Sequence, residues 1–378
     1  MDHGRRLVLE GSQDTVPDGQ RCRYWPLPAT SAFTYHRDMS TPPEFDIATL
    51  ERFLRDRLDG MSGPVQVERI AGGQSNPTFF VTSGNHRLVL RKKPPGTLLP
   101  SAHAVDREFK VMAALRDSAV PVPKVLLYHT EDDIVGTPFY IMERVEGRMF
   151  PSSALPGAEP AARRQMYHAA ARTLAALHQV DFSAVGLGDF GKPGSYNARQ
   201  IARWKRQWAL SAAGPNGDVE ELISWLETHV PADDTTTLVH GDYRIGNLMF
   251  HPTEPRVMAV LDWELSTLGY PMADVAHLCV YSWFMTAAEF GGIRDVELAH
   301  HQLPVLSEFA AAYDAEAHSP LRLSTFDLAL ALFRNAAIFE GIAARARAGN
   351  AAAANAHKVG QLAPVLARRA IDLISSST

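Results

Sequence analysis

Two apolar runs in the middle of the chain each end in a carboxylate. Residues 237–239 lead into His240-Gly241-Asp242, and residues 257–261 lead directly into Asp262. Short apolar runs of this kind predict buried strands. Because a buried strand that ends in an acid delivers that acid to the edge of the core, we expect both acids to lie in a cleft.

The spacing around these acids is typical of phosphoryl transfer from a nucleotide. That reaction needs a residue that orients the attacking oxygen and oxygen ligands that hold Mg²⁺ on the phosphates. Asp242 and Asn247 keep the spacing of the protein-kinase catalytic loop H-R-D-x-x-x-x-N, with Gly241 in place of the arginine. Asp262 takes the place of the metal-binding aspartate of the kinase D-F-G motif, here written Asp-Trp-Glu.

Four motifs follow one another in a fixed order: His240-Gly241-Asp242, Asn247, Asp262-x-Glu264 and Asp274-x-Ala276. In this combination the chain resembles the aminoglycoside phosphotransferase and choline kinase-like superfamily, and within it the phosphotransferase domains linked to acyl-CoA dehydrogenases. Each motif alone is unspecific, because an isolated His-Gly-Asp is common and a lone Asp-x-Glu is usually a solvated strand end. Asp189-Phe190-Gly191 also spells D-F-G, but it precedes the catalytic loop, whereas the metal-binding aspartate must follow it.

The resemblance extends over residues 65–349 and implies an α+β, protein kinase-like two-lobe fold. A small antiparallel β-sheet N-lobe and a larger, mainly helical C-lobe would hold ATP between them. We expect an N-terminal extension packed on the body over residues 1–45, the N-lobe over 46–142 and the C-lobe over 143–378. Five N-lobe strands are predicted, at residues 65–70, 78–82, 87–93, 120–126 and 139–142. Helices are predicted after Asp46, from Ala104, over 161–179, 196–210 and 218–228, and through the remainder from Asp274 to Leu373, with a break around Gly349-Asn350.

The resemblance also implies nucleotide contacts in the N-lobe. Ser75 lies in the turn 72–77 that would cover the phosphates, although this turn by itself would equally be a plain hairpin. Arg91 stands where kinases carry the phosphate-binding lysine. Lys93 shares its strand face, because side chains alternate along a strand, so a role for either cation stays open. Glu108 is placed to pair with this cation, or else is a surface helix residue.

The hinge and the C-lobe supply the remaining predicted contacts. Backbone groups of Glu143 and Val145 are the candidates for the adenine edge, and Met249 and Leu261 are the candidates for apolar walls against adenine. Asp274, at the start of a helix, is expected to fix the catalytic loop by hydrogen bonds.

The predicted chemistry is then divided among five side chains. Asp242 would orient the acceptor hydroxyl, while Asn247 and Asp262 would hold Mg²⁺. Glu264 would either add to the metal site or brace it. Arg244 would lie near the γ-phosphate or would face solvent.

Composition and net charge limit the class of protein and the kinds of partner it can bind. The 378 residues are 46% hydrophobic and 21% charged, with a net charge of −5 and a sequence pI near 6.3. These values are those of an ordinary globular protein and predict no broad basic surface for nucleic acid or anionic membranes. With only Cys22 and Cys279, no disulfide framework is expected, and no apolar run reaches membrane-spanning length. We therefore expect a cytoplasmic protein; its oligomeric state cannot be read from the sequence.

The charge of the acceptor is the least determined property. Cations outnumber acids in the helices predicted between Ala161 and Leu210, which favours a small anionic or acyl-type hydroxyl substrate. The cationic alternative is an aminoglycoside or choline-like compound, and a third possibility is a pseudokinase-like module that only binds ATP. A protein kinase is disfavoured, because only twelve positions separate Asp262 from Asp274, too few for an activation loop and a peptide platform. The cations are Arg163, Arg164, Arg172, Arg199, Arg203, Lys205 and Arg206.

Overall fold

An antiparallel sheet with a helix on each face forms the first part of the fold. The computed structural model describes residues 37–38, 44–70, 76–96, 103–233, 235–349 and 356–377. The sheet has the strand order β1-β2-β3-β4-β6-β5. Its strands are β1 (Arg37–Asp38), β2 (Gln66–Ile70), β3 (Thr78–Ser83), β4 (His86–Lys92), β5 (Val125–His129) and β6 (Phe139–Glu143).

Alternation along the strands gives the sheet two different faces. Leu88 and Leu90 of β4 pack under helix α1 (Ile47–Arg57), in a small core that also contains Phe79, Phe139 and Ile141. Residues of opposite parity point toward helix α2 (Val105–Leu115) and the cleft, as the period of two along a strand requires. Asp46 caps α1 as predicted, since its carboxylate accepts hydrogen bonds from the backbone N–H groups of Ala48 and Thr49 in the first turn of the helix.

Two strand predictions need correction. The sheet has six strands rather than five, because residues 37–38 add an edge strand against β2. The predicted strand at 120–126 begins only at Val125, since Pro121 and Pro123 lack the N–H that a ladder needs. Most of the predicted extension 1–45 lies outside the described residues, and the predicted division at residue 142 stays a prediction.

The second part of the fold is mainly helical, and the predicted α+β class is confirmed. The predicted helices are present to within a few residues, except that residues 284–305 between α6 and α7 and residues 317–324 between α7 and α8 are not helical. This corrects the expectation of a helical remainder interrupted only around residues 349–350. The helices are α3 (Pro160–His178), α4 (Tyr196–Ser211), α5 (Gly217–Thr228), α6 (Met272–Trp283), α7 (Leu306–Glu316), α8 (Thr325–Arg347), α9 (Ala356–Gly360) and α10 (Leu362–Ser376).

Short strands deliver the predicted chemistry to the cleft. Strand β8 (Thr237–Val239) pairs with β11 (Thr267–Gly269), and β9 (Leu248–Phe250) lies between β7 (Arg148–Met149) and β10 (Val257–Val260). Both apolar runs are therefore buried strands, as predicted, and each ends just before the acidic segment that follows it.

Arg107 of α2 connects the sheet to the helical part. Its guanidinium donates hydrogen bonds to the carbonyl of Phe190 at 2.7 Å and to that of Ser266 at 3.1 Å. It also lies 4.0 Å from the centre of the Phe190 ring. The Asp189-Phe190-Gly191 segment is thus part of this connection and is not the metal-binding D-F-G motif.

We expect Arg107→Ala to lower the free energy of unfolding by about 1–3 kcal/mol, because two buried carbonyls lose a charged donor. Chemical denaturation measures this loss. Arg116→Ala is the matched control: among the described residues the ion-pair partner of Arg116 is the adjacent Asp117, at 3.5 Å, and the Arg116 side chain is 61% exposed. The control should change stability by less than about 0.5 kcal/mol. Equal effects of the two substitutions would contradict a connecting role for Arg107.

Candidate active site

A buried carboxylate at the start of α6 fixes the catalytic loop. Asp274 accepts hydrogen bonds from the backbone N–H of His240 at 2.6 Å and of Gly241 at 2.8 Å. His178 is its third neighbour, with Nε2 at 3.3 Å and Nδ1 on the hydroxyl of Tyr313 at 2.7 Å. Burial acts to raise the pKa of Asp274, but these hydrogen bonds and the nearby histidines hold it below its usual value. The predicted anchoring role of Asp274 is confirmed.

The His240 side chain ties the two acid-bearing strand ends together. Its Nε2 lies 2.9 Å from the carbonyl of Leu261, and its Nδ1 accepts the N–H of Asp242 at 3.2 Å. Since one nitrogen faces an acceptor and the other a donor, the Nε2–H tautomer is the one that satisfies both.

Glycine is required at the position where protein kinases carry an arginine. Gly241 has φ of +81°, and a Cβ there would collide with the backbone carbonyl of Leu265. Its own carbonyl accepts a hydrogen bond from Arg334 of α8. Asp262 is likewise left-handed, with φ of +68°, a conformation that aspartate tolerates better than most residues.

Asp242 is held at both of its carboxylate oxygens. Asn247 Nδ2 donates to Oδ2 at 2.7 Å, and His277 Nε2 lies 2.8 Å from Oδ1. Arg244 Nε is 3.5 Å from Oδ2. Burial acts to raise the pKa of Asp242, but His277 and Arg244 outweigh it and keep the group ionised at neutral pH.

Arg91 bridges the sheet, α2 and the second acid. Its Nε is 3.0 Å from Glu108 Oε2, and its Nη2 donates to Asp262 Oδ1 at 2.8 Å. Glu108 is only 1% exposed and also accepts from Asn76 at 2.7 Å and from the Tyr140 hydroxyl at 2.9 Å. Burial acts to lower the pKa of Arg91, but the surrounding carboxylates raise it, so the guanidinium stays charged. The alternative of Glu108 as a surface residue is excluded.

A cavity of about 350 Å³ lies between the sheet and the helical part. Val89, Phe80 and Met142 from the sheet supply much of its apolar wall. The predicted site residues that line this cavity are Arg91, Glu108, Glu143, Val145, Arg244, Asn247, Met249, Leu261 and Asp262.

Other predicted residues lie differently. Lys93 does not line the cavity, and its neighbour Lys92 is buried with Nζ on the carbonyl of Val135, as strand alternation predicts. Glu264 follows Asp262 in a 3₁₀ turn and does not line the cavity. Its negative charge nevertheless helps to raise the pKa of Arg91, against the lowering effect of burial. Ser75 lies outside the described residues.

The hinge prediction needs one correction. The backbone N–H of Glu143 donates to the carbonyl of Lys124 at 2.8 Å, because this residue ends a paired strand. The N–H of Glu143 is therefore engaged within the sheet, whereas its carbonyl and the backbone groups of Val145 stay predicted contacts for a ligand edge.

Asn247 and Asp262 fit a Mg²⁺ site that is completed by phosphates. Asn247 commits its amide nitrogen to the carbonyl and carboxylate of Asp242, at 2.8 and 2.7 Å, so its Oδ1 is the atom left to face a cation. Within the described parts of the chain no cluster of three or more His, Cys, Asp or Glu side chains forms a metal cage. Mg²⁺ commonly uses only one or two protein oxygens together with phosphates and water, so this donor set suits it.

Residues 66–323 match the family model described as phosphotransferase enzyme family. The chain belongs to this family. As a family member it is a small-molecule phosphotransferase, and the kinase-like fold predicted from its motifs is confirmed.

Relatives with similar sequences include two acyl-CoA dehydrogenase family members. Member 10 of Mus musculus is 42% identical over 326 residues, which are 85% of this chain and 30% of the relative. Member 11 of Gallus gallus is 40% identical over 338 residues, 87% of this chain and 43% of the relative. The chain thus spans less than half the length of these relatives.

Solved structures show the same fold. A protein from Ralstonia eutropha assigned as an aminoglycoside phosphotransferase is 40% identical, with a TM-score of 0.80, and the match covers 88% of this chain and 99% of that one. A thermostable mutant of an aminoglycoside phosphotransferase, in ternary complex with AMP-PNP and hygromycin B, has a TM-score of 0.56 at 15% identity. That match covers 86% of this chain and 98% of the other, and it concerns the fold alone.

Three contacts at the site were missed in the sequence: Asn76 on Glu108, Arg334 on Gly241 and His277 on Asp242. The first two carry no signal, since 32 and 93 positions separate the partners. His277 does carry one, because it lies three residues after Asp274 and therefore on the same helical face.

We expect Arg91→Ala to weaken ATP binding at least about 10-fold, because the guanidinium lies on the cavity wall and would lose its contact with the phosphates. Lys93→Ala should change the affinity by less than about 3-fold. Isothermal titration calorimetry measures both, with Arg87→Ala at the exposed start of the same strand as a control for lost charge. A defect confined to Lys93→Ala would assign the phosphate contact to Lys93.

Proposed function

We propose that the chain transfers the γ-phosphate of ATP to a hydroxyl group of a small anionic or acyl-type molecule. The observation that carries this proposal is that Arg91, Asn247 and Asp262 line one cleft while Asn247 donates a hydrogen bond to Asp242 beside it, in the order and spacing of a nucleotide kinase. An ATP-binding module without catalysis would not need an ionised aspartate held at both oxygens beside that cleft.

Each residue then has a defined task. Asp242 accepts and orients the hydroxyl, Arg244 lies beside it toward the γ-phosphate, and Arg91 neutralises phosphate oxygens. Asn247 and Asp262 would hold Mg²⁺, which on binding neutralises charge that develops on the phosphates. Val145 supplies a backbone donor for adenine, with Met249 and Leu261 as apolar walls.

The prediction of an anionic acceptor was based on seven cations of α3 and α4, and not all of them are free to contact an acceptor. Four of the seven are engaged elsewhere, so they do not count toward an acceptor site. Arg163 donates to His301, Arg164 pairs with Glu308, Arg199 donates to Lys192 and Lys205 pairs with Glu227.

Arg172, Arg203 and Arg206 remain, and of these three Arg203 has Arg334 of α8 as a neighbouring cation. Burial lowers the pKa of Arg203 and the neighbouring charge of Arg334 lowers it further, so the two guanidinium groups are close. Both lie over Trp204, at 4.9 and 5.8 Å from its ring centre. Within the described residues neither has a carboxylate partner, while Arg334 contacts the catalytic loop. This excess positive charge supports an anionic acceptor, and the dehydrogenase relatives support a hydroxyacyl thioester as its form.

We expect Asn247→Ala and Asp262→Ala to weaken binding of MgATP more than binding of ATP in EDTA, because the lost oxygens contact the metal. Calorimetric titration with and without Mg²⁺ separates the two effects. Asp189→Ala removes an exposed carboxylate from the Asp-Phe-Gly segment and should change neither affinity. Equal losses with and without Mg²⁺ would show that Asn247 and Asp262 act structurally.

An ATP-consumption screen of the purified protein tests the function directly. We expect turnover with an anionic alcohol among hydroxyacyl-CoAs, hydroxy acids, sugars, amino alcohols and aminoglycosides. Asp242→Asn should lower that turnover about 10²–10⁴-fold while nucleotide still binds, because the hydroxyl loses its acceptor.

Arg203→Glu tests the charge of the acceptor. The substitution should raise KM for the anionic acceptor about 10-fold and leave binding of ATP unchanged, because it places a like charge beside the substrate. Lys205→Glu on the same helix is the control, since Lys205 pairs with Glu227. Efficient turnover of a polycation, with none of an anionic alcohol, would refute the proposed acceptor class.

A further inference from the structure

One buried histidine contacts the carboxylate of Asp242. His277 lies on α6, one turn after Asp274, and its side chain is 2% exposed. Its Nε2 is 2.8 Å from Asp242 Oδ1, whereas Asn247 occupies Oδ2. The two oxygens of Asp242 are therefore bound by two different elements, and rotation of the carboxylate would break one of these hydrogen bonds.

The surroundings of His277 define which nitrogen carries the proton. The partner of Nε2 is a carboxylate, which accepts only, so Nε2 bears the hydrogen. Within the described part of the chain Nδ1 has no hydrogen-bond partner. Burial lowers the pKa of His277 and the charge of Arg334 lowers it further, against the raising effect of Asp242 and Asp274. The ring of Tyr281, one helical turn further on, packs against the imidazole of His277 with 4.8 Å between the ring centres.

We propose that His277 is a positioning residue for phosphoryl transfer, whose Nε2–H fixes the Asp242 carboxylate in the orientation that receives the acceptor hydroxyl. The inference rests on the proposed kinase reaction. In that reaction the acceptor oxygen forms a bond to the γ-phosphorus and the bond to the β,γ-bridging oxygen breaks, its electron pair leaving with ADP. The hydroxyl proton passes to Asp242 and then to solvent. Little covalent activation is needed, so the orientation of this carboxylate dominates its contribution.

Two substitutions separate positioning from packing. His277→Leu removes the donor, while His277→Gln keeps an N–H at a similar reach. We expect kcat of His277→Leu to fall about 10- to 100-fold with KM and the Kd of MgATP within about 2-fold, since one hydrogen bond to a charged group is lost. His277→Gln should restore kcat to within about 5-fold of the wild type. Turnover is measured with the alcohol that the screen selects, or with water as the acceptor of MgATP.

Cys279→Ala is the matched control, because Cys279 is fully buried on the same helix, two residues after His277. It should leave kcat unchanged. A wild-type kcat in His277→Leu, or a Gln variant as slow as the Leu variant, would overturn the proposal.

Two further measurements test the path through Asp242. In an Asp242→Ala background, His277→Leu should cause no additional loss of kcat, because residues that act as a unit are not additive. A further 10-fold loss would show that His277 acts independently. NMR of ¹⁵N-histidine-labelled protein should find the proton on Nε2 of His277, and a bare Nε2 would overturn the proposal. The NMR result needs no acceptor, so a wild-type protein without phosphotransfer would refute the proposed function and leave this contact tested separately.

Discussion

The catalytic loop depends on one buried carboxylate, that of Asp274. Two consecutive backbone N–H groups, of His240 and Gly241, donate to its two oxygens, and no helix or strand ladder satisfies them instead. A buried ionised carboxylate costs free energy unless it is hydrogen-bonded, and here the loop itself provides the donors. The left-handed turn at Gly241, the His240 contact to Leu261 and the position of Asp242 all follow from this anchor.

The arginine on β4 departs from the kinase pattern for a reason that the structure makes plain. A guanidinium is a planar fork with several donors, whereas an ammonium is a single point charge. Arg91 uses this fork to contact Glu108 on one side and Asp262 on the other. Sheet, α2 and the acidic strand end are thereby joined through one side chain.

A count of charged residues in the sequence predicts the charge of the acceptor site only in part. The sequence presents seven cations over the two successive helices α3 and α4, but four of them contact groups away from the cleft. Arg334, more than a hundred positions further along the chain, donates a hydrogen bond to the carbonyl of Gly241 in the catalytic loop. The positive charge near the loop therefore comes from one predicted cation, Arg203, and from one that was not predicted, Arg334.

The sequence by itself determined the α+β class, most helices and strands, and the acidic residues of the cleft. These depend on local patterns: alternation places Arg91 on the cleft face, and short spacing places Asn247 beside Asp242. Only the tertiary structure decided the partners that hold them, such as Asn76 on Glu108 and His277 on Asp242, and the loss of the Glu143 N–H to Lys124. These contacts join distant segments whose relative placement is set by packing of the whole core, and residue spacing carries no record of that packing.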